Sequence, residues 1–75
     1  MNVKYIKTKN NEIIVFSELL EHSDFKSFSP VSAGFISIGI EPRIGCYGKS
    51  ISLGLKSDPE VDTELAHKQI LGFNY

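Results

Sequence analysis

Apolar residues recur along most of this chain with the two-residue period of strands, and only the last stretch changes to helical signals. Residues 2–8 (NVKYIKT) and 12–16 (EIIVF) are rich in β-branched and aromatic side chains. Lys9-Asn10-Asn11 separates them, and asparagine tolerates the left-handed backbone that tight turns require, so a β-hairpin is predicted. Ile13, Ile14, Val15 and Phe16 break strict alternation and suit a strand covered on both sides. Residues 17–28 interrupt the β pattern. Ser17 and Ser23 are candidate N-caps, and Phe25 and Phe28 share one face of a short helical segment that ends before Pro30.

Residues 31–40 (VSAGFISIGI) form the strongest strand signal. Ile36, Ile38 and Ile40 line one face and Val31, Ala33 and Phe35 the other, which places this strand centrally. Glu41-Pro42-Arg43-Ile44 reads as a turn, residues 44–47 as a short strand, and Gly48-Lys49 as a two-residue hairpin loop. Ile51, Leu53 and Leu55 then alternate with Ser50, Ser52 and Gly54 as a half-buried strand. Five of the six glycines fall between 34 and 54, which predicts a strongly curved sheet. Residues 57–72 carry helix signals. Ser57 with Glu60 makes a capping box, Asp58-Pro59 is an alternative cap, and Gly72 supplies a stop. Because the apolar stripe of Leu65, Ala66 and Ile70 is modest, the regular helix is expected to begin nearer Asp62.

The predicted class is α+β: a curved antiparallel sheet made of a β-hairpin, a short helical turn and a three-stranded meander, with the C-terminal helix packed on one face. A small β-barrel with a terminal helix is the alternative. At 75 residues the chain is read as one domain, 1–75, which buries only about 60% of its unfolded surface and so favours association. Cys46 is the only cysteine, which excludes an intramolecular disulfide and points to a reducing, cytoplasmic setting. The apolar runs fall short of a signal peptide or a spanning helix, so no membrane partner is expected. The net charge of −1 gives no global attraction to nucleic acid.

Candidate chemistry is sparse. Gly48-Lys49-Ser50 has the ending of a phosphate-binding loop, but Arg43 stands where the motif needs glycine, and a strand pattern follows where it needs a helix. Cys46, His22 and His67 lack the close ligand pairs of structural zinc. Cys46 reads as a small buried hydrophobe and the histidines as solvated helix residues. Asp58, Glu60, Asp62 and Glu64 are explained by the favourable field at a helix start. No enzyme, cofactor or metal is expected.

Two binding readings follow. The first is a protein–protein interaction or self-assembling module, most simply a homodimer, with Tyr5, Lys7, Lys9, Arg43, Tyr47, Lys49, Phe73 and Tyr75 as the candidate interaction surface. The alternative is a nucleic-acid-binding accessory protein using Lys4, Lys7 and Lys9 of the basic N-terminal hairpin. Solvated lysines guarding an edge strand account for the same residues. Residues 17–72 share the helix–three strands–helix order of double-stranded-RNA-binding domains, but four acids occupy the start of the last helix, which is basic in that family. In Ser32–Ser37 and Cys46–Ser57 the chain resembles short uncharacterised proteins encoded by gut bacteria and their phages. That resemblance spans most of the chain, transfers no functional residue, and implies an intracellular accessory role in a phage or mobile element.

Overall fold

A computed structural model of the chain describes residues 2–38 and 44–70. The first hairpin pairs β1 (Asn2–Thr8) with β2 (Ile13–Phe16) in antiparallel register, Tyr5 opposite Val15. Asn11 takes the left-handed backbone (φ 62°) that its turn requires. A 3-10 helix, His22–Phe28, follows. Its N-cap is Glu21, whose amide donates to Asp24 Oδ2 at 3.0 Å; neither expected serine cap is used, and Ser17 Oγ accepts the Leu19 amide instead. Ser29 leaves the helical region (φ 55°) immediately before Pro30.

β3 (Pro30–Ile38) pairs with β1 on one side and β4 (Ile44–Tyr47) on the other. The sheet order is β2-β1-β3-β4, so β3 is interior as expected, and the sheet is open, with no closed barrel among the described residues. β1 is interior too, which corrects its assignment as a lysine-guarded edge: the edges are β2 and β4. A register shift at Lys7/Thr8 bulges Val31 out of the ladder. Residues 39–43, including the expected Glu41-Pro42-Arg43 turn, lie outside the described residues, as do Gly72 and the end of the predicted helix.

The predicted strand over Ile51–Leu55 is not one strand. β5 (Lys49–Ser50) and β6 (Leu55–Lys56) form a separate two-stranded ribbon joined by a turn at 51–54. Gly54 adopts φ 67°, its amide bonds the Ile51 carbonyl at 3.2 Å, and Ser50 Oγ accepts the Leu53 amide at 3.2 Å. These contacts satisfy the turn locally, while Leu53 and Leu55 still reach the core. Gly48 (φ 80°) is therefore no hairpin loop; it turns the chain out of the sheet. A methyl group on Gly34 would overlap the Tyr47 carbonyl oxygen and lie 3.2 Å from Ser57 Cβ, so that glycine permits a close crossing.

α1 (Pro59–Ile70) starts at Pro59, the N1 position, which makes Asp58 the N-cap and places the start three residues before Asp62. The sheet is covered on both faces by two small cores. Under α1, Tyr5, Ile36, Ile44, Cys46 and Ala66 pack together. On the opposite face, Ile6, Phe16 and Ala33 meet Phe25 of the 3-10 helix and Leu53 and Leu55 of the ribbon.

Candidate functional site

Period two along β1 puts Val3, Tyr5 and Lys7 on the α1 side, and register brings Ser32 of β3 opposite Lys7. All of these polar groups converge on Asp62, which α1 carries into the interface and which has 0% exposure. Lys7 Nζ lies 2.9 Å from Oδ1, an ion pair at that atom without a well-aligned hydrogen bond. Oδ2 accepts the Tyr5 hydroxyl, the Ser32 hydroxyl at 2.8 Å and the Asp58 amide at 3.0 Å. Burial pushes the Asp62 carboxyl up, but bonds from Tyr5, the Asp58 amide, Lys7 and Ser32 outweigh it and hold the carboxyl below its ordinary value. The Tyr5 hydroxyl is driven far up by burial, then by its bond to Asp62 and that carboxylate's charge. Burial also pushes the Cys46 thiol up to about 11, against an opposing bond with Thr63.

This cluster corrects three expectations. Tyr5 and Lys7 were placed on an interaction surface and are buried; Asp62 was explained as a solvated helix-start acid and is the centre of a buried ion pair. A lysine alternating with Val3 and Tyr5 on an apolar face was the available signal, because a buried ammonium requires a carboxylate. Chemically the cluster fastens α1 to β1 and β3. Oδ2 is saturated with donors, Asp62 is sealed from solvent, and the Cys46 thiol stays protonated at neutral pH.

His22 is likewise buried and not solvated. Its Nε2 lies 2.8 Å from the Gly34 carbonyl oxygen, and its ring stands edge-on to Phe16 and Phe35. His67 is half-buried, with Nε2 3.2 Å from the Ile44 carbonyl oxygen. No group of three or more His, Cys, Asp or Glu among the described residues is placed to hold a metal ion.

α1 also closes both edges of the sheet. At β4, Thr63 Oγ1 accepts the outward Cys46 amide at 3.0 Å and His67 meets the Ile44 carbonyl. At β2, the Gln69 side chain accepts the Ile13 amide at 2.7 Å and donates to the Asn11 carbonyl at 2.6 Å, imitating a neighbouring strand. Such groups block pairing with another chain.

The opposite face is less complete. Phe35 stacks on Tyr47 with ring centroids 5.8 Å apart, and Tyr47 stays exposed. Beside them a groove is lined by Val31, Ile51, Leu55, Lys49 and Lys56. Val31 is 50% exposed and Ile51 86% exposed. Lys49 and Lys56 stand directly opposite each other in the ribbon, and neither has an ion-pair partner among the described residues. Like charges so placed oppose the pairing they sit on. Of the other expected surface residues, Lys9 is exposed, while Arg43, Phe73 and Tyr75 lie outside the described residues. Val31, Ile51 and Lys56 were missed, since Val31 and Ile51 read as strand interior until the bulge and the turn remove them. No family model, curated protein or solved structure matches the chain.

Proposed function

We propose that the chain is a non-enzymatic self-assembling module that docks through the sheet face opposite α1. The groove between β3 and the β5–β6 ribbon carries this reading: Val31 and Ile51 are exposed side by side, next to the half-exposed Tyr47, on a domain too small to spare apolar surface. Edge-to-edge association is disfavoured, because Thr63, His67 and Gln69 occupy the outward groups of β4 and β2. A face-to-face dimer buries the exposed groups without a second gene product. The nucleic-acid alternative draws less support. Lys7 is spent on Asp62, Lys4 Nζ donates to the Leu20 carbonyl at 2.7 Å, and Lys9 is the hairpin lysine left over. Light scattering on the wild type and on Val31→Asp tests the reading: a two-chain mass that falls to one chain in the variant supports it, and a one-chain mass for the wild type rejects it.

A further inference from the structure

The face opposite α1 carries cations and apolar side chains, and its natural counterpart is on the same molecule. We infer that each copy inserts the outer face of its α1 start, Glu60, Val61 and Glu64, into the Lys49–Lys56 groove of the other, in a two-fold reciprocal exchange. This rests on the self-assembly reading and specifies which surface fills the groove.

Three observations carry it. First, Lys49 and Lys56 face each other without a carboxylate among the described residues, so the groove is electrostatically unfinished in one chain. Second, α1 presents the complementary chemistry. Glu60, Val61 and Glu64 stand at i, i+1 and i+4, adjacent on one helix face, and all three are exposed. Val61 is an apolar knob beside acids, matching an apolar groove beside lysines. Third, the two halves are contiguous. Val31 and Lys56 line the groove and also line the neighbouring depression that ends at Asp58 and Pro59, where α1 begins. A basic half next to an acidic half is self-complementary across a two-fold axis, here near Val31 and Lys56. The charges set orientation and partner choice, while Val31, Ile51 and Val61 supply the apolar contact.

The test is a charge exchange between two variants, Lys49→Glu/Lys56→Glu and Glu60→Lys/Glu64→Lys. Each alone places like charges at both reciprocal contacts, so each is expected to weaken the dimer tenfold or more and to scatter as a single chain where the wild type is dimeric. Mixed in equal amounts, both contacts become complementary, and a two-chain species returns. Persistent dimers of either variant alone, or a mixture that stays at one-chain mass, overturn the inference. In that case a dimer still broken by Val31→Asp keeps the groove as the docking face with a different counterpart, whereas a monomeric wild type removes both readings. If glutamates at 49 and 56 unfold the ribbon by circular dichroism, Lys49→Gln/Lys56→Gln is expected to weaken the dimer to a smaller degree, and an unchanged dimer overturns the inference equally.

Discussion

Replacing Asp62 by asparagine keeps an acceptor for Tyr5 and Ser32 but leaves the Lys7 ammonium without its counter-charge, 2.9 Å away in the native protein. Removing one partner of a buried pair costs about 3–5 kcal/mol, because the remaining charge cannot return to water. A domain of this length has roughly 4–11 kcal/mol of total stability, so Asp62→Asn brings it to the brink of unfolding. Lys7→Met alone likewise strands the carboxylate. Lys7→Met/Asp62→Asn removes both charges while the amide oxygen still accepts from the two hydroxyls, so the double variant is more stable than Asp62→Asn. Urea unfolding followed by circular dichroism at one fixed protein concentration gives the cycle. A coupling of about 2 kcal/mol or more is expected, and single-variant losses that add to within about 0.5 kcal/mol refute the claim that these residues act as a pair.

The same carboxyl sets an acid limit. Its pKa is lowered on folding, so its contribution is present above the unfolded value of about 3.9 and is lost as pH falls through the folded value. The wild type therefore destabilises steeply below about pH 4, and Lys7→Met/Asp62→Asn shows a shallower slope; equal slopes contradict this. With its thiol near 11, Cys46 is expected to react with a thiol reagent at pH 8 about two orders of magnitude more slowly than in urea-unfolded protein, and comparable rates count against its burial. Gly34→Ala drives a methyl group toward the Tyr47 carbonyl and is expected to cost about 2 kcal/mol or more in the same urea assay, whereas Gly45→Ala, which meets nothing within 4 Å, costs less.

What the sequence disclosed was local. The Asn11 turn, the interior strand through Ile36 and the Asp58-Pro59 helix start follow from alternation, backbone preference and capping, each within a few residues. The errors arose where one pattern serves two structures. Ile51, Leu53 and Leu55 alternate as a strand does, yet Gly54 and the Ser50 hydroxyl close them into a turn that still buries Leu53 and Leu55. Lys7 and Asp62 looked like surface charges because their pairing exists only after α1 docks on β1. His22 was misplaced for the same reason: its partners, Phe16, Phe35 and the Gly34 carbonyl, belong to other elements. The candidate docking groove was half legible, through Tyr47 and Lys49, and Lys56 entered only with the ribbon register.

Self-assembly through the groove is tested most directly by the solution mass of the wild type beside Val31→Asp, measured by light scattering at micromolar concentration and moderate salt. The account predicts twice the 8.4 kDa of one chain for the wild type and 8.4 kDa for a folded Val31→Asp. A wild type at 8.4 kDa, or a folded Val31→Asp that keeps the two-chain mass, contradicts it.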